Sequence, residues 1–200
     1  MRARSIGLAG TLVVGVALAA TWTFRAAGQQ NDADAIRQVL QKYVSTINSA
    51  EFAKGPRERR AEMLRAYYRP DNSFAKGEAP TFFGPLSEPV SHGLEAHLDN
   101  TLLNFEYLFR QKMTYGLRID ETQIETGGGL GAVIALTTSG YASADGKTNY
   151  VSHGRATLIF NKMSNGEWRI SHEHLELYNA AAPGMMSKQQ LTAAVEKLPK

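Results

Sequence analysis

The stretch that decides the fold reads GRATLIFNK at residues 154–162 and NGEWRISHEH at residues 165–174. Both segments are rich in β-branched and aromatic residues, which favour strands. The Asn165-Gly166 pair between them is typical of a tight hairpin turn, because both turn residues need positive φ. The stretch therefore predicts two antiparallel strands near the end of the chain.

The register of this hairpin sorts its side chains onto two faces, because alternate residues of a strand point to the same side. With the turn centred on Asn165-Gly166, His174 faces Thr157 across the hairpin. The first face is then predicted to carry His153, Arg155, Thr157, Ile159, Trp168, Ile170, His172, His174 and Glu176. The second face is predicted to carry Gly154, Ala156, Leu158, Phe160, Ser171, Glu173, Leu175 and Leu177.

Upstream of the hairpin, helix-like segments come first and strand-like segments follow. In the early segments apolar residues recur at three- and four-residue spacing, as in amphipathic helices. Helices are predicted at Asp34–Ala50, with Asp32 or Asp34 as its cap, at Pro56–Tyr68, at Gly93–Leu108 and from Ser187 to about Leu198. Strands are predicted at Thr114–Ile124, Leu130–Tyr141, Tyr150–Lys162 and Glu167–Tyr178, with an irregular loop at residues 73–92. This order predicts an α+β fold with an antiparallel sheet.

Composition excludes several classes of protein. The 200 residues include no cysteine, so disulfide frameworks, thiolate zinc sites and cysteine nucleophiles are ruled out. The formal net charge is only +3, and no run of basic residues accompanies it. Nucleic acid is therefore not a predicted partner.

The N-terminus predicts export. Arg2 and Arg4 precede an uncharged, strongly apolar stretch from Ser5 to Phe24, and Ala17-Leu18-Ala19 resembles a cleavage site. Residues 1–27 are thus a signal peptide or an uncleaved membrane anchor, which is the only membrane contact predicted. Residues 28–32 are predicted to be a linker, residues 33–180 the domain, and residues 181–200 a C-terminal tail. The domain is then periplasmic or extracellular.

Three segments resemble a known family. Residues 41–51 (QKYVSTINSAE) resemble the first helix of ketosteroid isomerases, and residues 67–74 (YYRPDNSF) resemble the end of their second helix. The hairpin at 154–174 is similar to the closing hairpin of the SnoaL-like branch of the nuclear-transport-factor-2-like (NTF2-like) superfamily. The resemblance implies a cone-shaped α+β fold, in which a curved antiparallel sheet wraps around the N-terminal helices and encloses a pocket.

The resemblance to ketosteroid isomerases covers one of their three catalytic roles. These enzymes use a carboxylate base, an oxyanion-stabilising tyrosine and a second, protonated acid. Tyr43 falls at the tyrosine position. The base position offers Lys76 and, two residues later, Glu78, while Ala156 stands where the second acid is expected. Steroid isomerisation is therefore not predicted.

The same comparison predicts which face of the hairpin lines the pocket. The second acid of the isomerases faces their pocket, so by parity the face with Ala156 and Glu173 does the same here. Glu173 is then a candidate acid or base opposite Tyr43. The residues predicted to line an apolar ligand cavity are Phe74, Phe82, Phe83, Leu158 and Phe160.

His172 and His174 are further catalytic candidates. Together with His153 or Glu176 they offer enough ligands for zinc or iron. A His-x-His pair alone is a weak signal, so neither a metal nor any other cofactor is predicted. The alternative interpretation packs both histidines near Trp168 on an outer sheet face.

Three function classes remain open. The first is an exported domain that binds a small apolar molecule, and the second is a proton-transfer enzyme of the isomerase, cyclase or dehydratase type. The third is an assembly module that forms a homodimer through its sheet, where Arg155 and Glu176 would form a cross-strand ion pair of little energetic weight.

Overall fold

The computed structural model describes the backbone of residues 9–73, 80–83, 90–177 and 188–197, and, from Gly28 onward, the side chains of these residues except 73, 177, 188, 190 and 191. Its helices are α1 (Ala9–Ile47), α2 (Ala50–Lys54), α3 (Arg57–Arg65), α4 (Leu94–Arg110) and α5 (Lys188–Lys197), with a 3₁₀ turn at Asp71–Ser73. Its strands are β1 (Thr81–Phe83), β2 (Val90–His92), β3 (Met113–Gly127), β4 (Leu130–Ser143), β5 (Asn149–Lys162) and β6 (Trp168–Leu177).

The six strands form one curved, unclosed sheet in the order β2-β1-β6-β5-β4-β3. All neighbours are antiparallel except β1 and β6, which run parallel. Along β5 the even-numbered residues from Ser152 to Phe160 are buried, and the odd-numbered residues are more exposed. We call the buried side the inner face; its core includes Ile36 of α1 and Leu98 of α4. The predicted α+β layout is confirmed.

The closing hairpin keeps the predicted register only in part. Arg155 pairs with Glu176 and Ile159 with His172, as predicted, but Phe160 then pairs with Ile170. Ser171 is the extra residue of a β-bulge, so the strand residues before it point to the side opposite to the predicted one. Trp168 and Ile170 therefore lie in the core. Their predicted place beside His172 is wrong.

The N-terminal helix differs from its prediction. Asp32 and Asp34 were expected to cap it, but both lie inside α1, which begins at Ala9. Residues 28–32, predicted to be a linker, are helical within α1. The Gln29 side chain donates to the Thr126 carbonyl of β3, and the Thr126 hydroxyl donates to the Gln29 carbonyl. These two hydrogen bonds hold this part of the helix against the edge strand of the sheet.

Other boundaries differ for local reasons. The predicted second helix ends at Arg65, and Tyr68 instead forms a parallel bridge with Ile170. The region 73–92, predicted to be a loop, contains the strands β1 and β2. Each strand has only three residues, which is too few to show the alternation of apolar and polar residues that predicts a strand. The helix predicted at Gly93–Leu108 is α4, and it lies close to its predicted position. The same holds for the four long strands, β3 to β6, and for the C-terminal helix α5.

Some predictions concern residues outside the described part of the chain. These are Phe74, Lys76, Glu78 and Ser187, together with residues 1–8 and the side chains of residues 9–27. The signal or anchor prediction rests on that N-terminal segment. Within the residues that are described, no helix has the length and apolar character needed to span a membrane.

Candidate functional site

Tyr68 is the central residue of a polar cluster on the inner face of the sheet. It follows α3 and is buried, with 2% of its surface exposed. Its position is fixed by two backbone hydrogen bonds to β6: the Arg69 amide donates to the Ile170 carbonyl at 2.7 Å, and the Ile170 amide donates to the Tyr67 carbonyl at 2.9 Å. The sequence thus holds one hydroxyl rigidly beside the last strand.

Three groups from three different elements surround this hydroxyl. Tyr68 donates a 2.8 Å hydrogen bond to Glu173 Oε2 of β6. The Tyr43 hydroxyl of α1 lies 3.3 Å away, and His97 Nε2 of α4 lies 3.1 Å away. We call Tyr43, Tyr68, His97 and Glu173 the inner network.

The direction of each bond follows from counting protons. A phenol has one proton to donate and can accept two hydrogen bonds. Because Tyr68 donates to the Glu173 carboxylate, it accepts from the Tyr43 hydroxyl and from the Nε2–H of His97. The neutral imidazole then carries its lone pair on Nδ1. Two donors thus converge on Tyr68, and each strengthens the bond that Tyr68 makes to Glu173.

His97 is held as a neutral base. Its ring stacks on Phe82 of β1, with centroids 4.2 Å apart and planes inclined by 19°. Burial lowers the pKa of His97, and the nearby Glu173 carboxylate opposes that effect without cancelling it. Nε2 lies 3.8 Å from Glu173 Oε2. The imidazole therefore favours its neutral form near pH 7.

The tyrosines are held as protonated donors. Burial, and secondarily the Glu173 carboxylate, raises the pKa of both Tyr43 and Tyr68. Burial also raises the pKa of Tyr115 on β3 to about 12, although its hydrogen bond with Ser139 works in the opposite direction. These hydroxyls keep their protons at neutral pH and can act as hydrogen-bond donors.

The inner network remains accessible, and small residues lie nearby. The side chains of His97 and Glu173 are 13% and 15% exposed. Leu158 of β5 pairs with Glu173 of β6. Further along β5, Ala156 and Gly154 pair with Ala135 and Thr137 of β4. Leu158, predicted to line a ligand cavity, is buried in the core beside Glu173, with 6% of its surface exposed.

The other predicted site residues lie elsewhere. His172 and His174 point to the outer face, where both contact the ring of Phe83 at centroid distances of 5.6 and 5.5 Å. Phe83 therefore lies on the outer face, away from the side that it was predicted to line, whereas the ring of its neighbour Phe82 points to the inner face. Phe160 faces inward but is fully buried in the core, so no surface is left for a ligand.

The outer face carries its own polar contacts. The predicted ion pair is present: Arg155 Nη2 lies 2.7 Å from Glu176 Oε2. His174 Nε2 lies 3.7 Å from the other oxygen of Glu176. Over the described ranges, no three histidine or acidic side chains come together in a way that would hold a metal ion.

Two of the four network residues, Tyr68 and His97, are not among the candidate site residues that the sequence predicts. The available signal for His97 is its spacing, because it follows Leu94 by three residues and thus borders the apolar stripe of α4. For Tyr68 the signal is its place directly before Arg69-Pro70, where a helix cannot continue.

An open groove of about 590 Å³ lies outside this cluster, between α1 and α3. It is lined by Gln38, Gln41, Lys42, Ser45, Thr46, Ser49, Glu51, Met63 and Tyr67. Tyr67 separates it from the interior: its hydroxyl bonds to Thr46 Oγ1 at 2.6 Å, and its ring packs edge-on against Tyr43. The groove contains no member of the inner network.

Comparisons with known proteins identify the fold. No family model matches the sequence, and no curated protein matches it. Among solved structures, an NTF2-like superfamily protein from Salmonella enterica is 15% identical, with 80% of this chain and 99% of that one covered and a TM-score of 0.55. A candidate scytalone dehydratase from Novosphingobium aromaticivorans is 14% identical, with 74% and 85% covered and a TM-score of 0.55.

A third solved structure has a different role. The association domain of CaMKII from C. elegans is 14% identical, with 74% of this chain and 98% of that one covered and a TM-score of 0.51. At these identities the likeness concerns the fold and leaves the activity open. Together with the helix-backed curved sheet, it shows that this chain has the NTF2-like fold.

Proposed function

We propose that this protein is an exported acid–base enzyme that acts on a small organic molecule bound on the inner face of its sheet. The observation that carries the proposal is the inner network: a carboxylate, a neutral imidazole and two phenols joined by hydrogen bonds within an otherwise apolar core. Binding alone would not require such a network. Perturbed ionisable groups that converge in one place are typical of catalytic sites.

The network suggests a division of labour. Glu173 takes a proton from an acidic C–H bond next to a carbonyl group, and the electron pair of that bond moves onto the carbonyl oxygen. Once Glu173 is protonated it no longer needs the Tyr68 proton. The Tyr68 hydroxyl is then free to donate to the oxyanion, while Tyr43 and His97 continue to donate to Tyr68. Neutral His97 can exchange a proton at the next step, which is either reprotonation or loss of a leaving group.

Deuterium exchange tests this proposal without the natural substrate. The full chain is incubated in D₂O with a panel of small cyclic ketones, and loss of the α-proton signals is followed by NMR. We expect accelerated exchange by the wild type, and loss of that acceleration in Glu173→Gln. Glu176→Gln is the matched control, because it makes the same change on the same strand but on the outer face. Equal exchange with and without protein would contradict the proposal.

The binding function stays distinguishable in the same experiment. If the ketones shift protein signals but no α-proton exchanges, the site binds without catalysis. Tyr43→Phe and Glu173→Gln would then leave the affinity nearly unchanged. Export is tested alongside, because the mass of the protein secreted with its own leader shows whether residues 1–27 have been removed.

Self-association through the outer face is a second candidate function. Leu130, Ile134, Leu136 and Val151 are 52%, 45%, 39% and 50% exposed. Leu130, Ile134 and Leu136 alternate along the outer side of β4 and form an apolar patch of the kind that marks an interface, and Val151 lies further along the same face of β5. The solved association domain with the same fold adds support for this role. We propose that a second copy of the chain covers this patch.

Native mass spectrometry tests the dimer. We expect a dimer for the wild type and a monomer for Ile134→Lys, since a charge at the patch cannot be buried without a partner. Asn149→Lys is the control, because it adds the same charge to an exposed position at the start of β5. A monomeric wild type, or a dimer that survives Ile134→Lys, argues against this interface.

A further inference from the structure

Phe82 contacts three of the four network residues. Its ring stacks on the His97 imidazole at 4.2 Å and meets the Tyr68 ring edge-on at 5.6 Å. Its backbone pairs with Glu173 where β1 runs beside β6. Only 1% of its surface is exposed, so the ring has no freedom to swing away. One short strand thus supplies a rigid surface against which the network is assembled.

We propose that Phe82 is the positioning residue of the site: its ring sets the plane of the His97 imidazole so that Nε2–H points at the Tyr68 hydroxyl. A stacked contact fixes the tilt of a ring, whereas a single hydrogen bond leaves it free to rotate. With the ring plane fixed, Nε2 lies 3.1 Å from Tyr68 and 3.8 Å from Glu173. The imidazole therefore bonds the phenol and does not pair directly with the carboxylate.

The same ring keeps water away from one side of the imidazole. Among the described residues, the titratable groups that face His97 are Glu173 of β6 and Tyr68, which follows α3, and β1 contributes the apolar Phe82. The carboxylate favours the charged imidazole and burial disfavours it. Removing the ring weakens the burial and leaves the carboxylate in place. His97 then becomes easier to protonate and rotates toward Glu173.

The catalytic consequence rests on the proposed function, but the effect on His97 does not. The first test is therefore NMR titration of the His97 ring in the full chain, with His97→Gln used to assign the signal. Phe82→Leu removes the ring plane, and Phe82→Met fills a similar volume without a ring. We expect the pKa of His97 to rise in both variants and the Nε2–H tautomer to lose its dominance.

Two controls separate positioning from general loosening of the structure. Phe82→Tyr retains the stacked ring and should preserve the wild-type titration. Phe83→Leu changes the next residue of the same strand, whose ring lies on the outer face, and should leave His97 unaffected. An unchanged His97 titration and tautomer in folded Phe82→Met overturns the proposal, even if Phe82→Leu fails to fold.

Ketone exchange is then measured across the pH range. If the proposed function also holds, the low-pH limb of the profile moves to higher pH in Phe82→Met and stays in place in Phe82→Tyr. The His97 titration could change in the Phe82 variants while neither the wild type nor any variant catalyses ketone exchange. In that case Phe82 still positions His97, and the proposed enzyme activity is wrong. The two failures are therefore distinguishable.

Discussion

Tyr68 and Glu173 stand 105 positions apart in the chain, yet the Tyr68 hydroxyl donates a 2.8 Å hydrogen bond to Glu173 Oε2. The contact exists because α3 ends at Arg65, so that Tyr68 lies outside the helix and forms a bridge with Ile170 next to the bulge of β6. Beyond that bulge the strand alternation places Glu173 on the inner face. The bulge therefore accounts for the buried position of Ile170, whereas Glu173 lies on the inner face through its pairing with Leu158.

Tyr68→Phe should weaken proton transfer strongly. The change removes the hydroxyl that three network residues share, and loss of one such donor costs about a hundredfold or more in rate. Ketone exchange by the variant measures the loss. Tyr67→Phe is the neighbouring control, because its hydroxyl bonds to Thr46 on the groove side. Similar losses for both tyrosines would argue against a special role for Tyr68.

Acid should destabilise the fold through His97. Because burial lowers the pKa of His97 in the folded state, the unfolded chain binds that proton first as the pH falls. Neutral His97 contributes fully to stability above about pH 6.5, the pKa of a histidine in the unfolded chain. This contribution is lost as the pH falls through that value toward the lower pKa of His97 in the folded state.

Urea unfolding between pH 8 and 5 measures this effect. The free energy of unfolding should fall less steeply with acidification in His97→Gln than in the wild type. The exposed His153 gives the comparison variant, His153→Gln, which should follow the wild type. Parallel curves for His97→Gln and the wild type would show that His97 does not titrate between the two states.

Gly131→Ala should destabilise the contact between α1 and the sheet. A Cβ at this position would overlap with Ile36 Cδ1, the end of a fully buried side chain. Such overpacking costs about 1–3 kcal/mol of unfolding free energy. Ile36→Val removes the clashing methyl group, so the double variant should recover part of the loss. Gly116→Ala, which meets nothing within 4 Å, serves as the control in thermal or urea unfolding.

Arg60→Met should destabilise the helical layer, although Arg60 has no ion pair with any residue that the structure describes. The Arg60 Nε donates to the Phe52 carbonyl at 2.8 Å, and the guanidinium lies 4.8 Å from the centre of the Phe109 ring. Leaving a buried carbonyl without its donor costs about 1–3 kcal/mol. Urea unfolding of Arg60→Met measures the loss.

The neighbouring arginine supplies the control for this prediction. Arg59 is exposed and pairs with Glu51 and Glu62 on the surface. Arg59→Met should leave the free energy of unfolding almost unchanged, because water replaces surface ion pairs at little cost. If both arginine variants lose the same stability, the carbonyl and ring contacts of Arg60 are not what stabilises this layer.

Local patterns sufficed for much of the architecture. The order of helices and strands, the Asn165-Gly166 turn and the pairing of Thr157 with His174 follow from period, turn chemistry and chain order. The inward position of Glu173 follows from parity along one strand. Each of these features depends on neighbours close in sequence, so the residues themselves carry the information.

The candidate site depended on the tertiary structure. Tyr68 and His97 lie in segments whose sequence predicts ordinary amphipathic helices, and they meet Glu173 only when the segment after α3 packs against α4 and β6. The bulge at Ser171 also has no sequence signature. It moves Trp168 and Ile170 into the core, because a single extra residue reverses the side to which a strand points. Short-range pattern determines which elements form, and only their packing decides which side chains share a site.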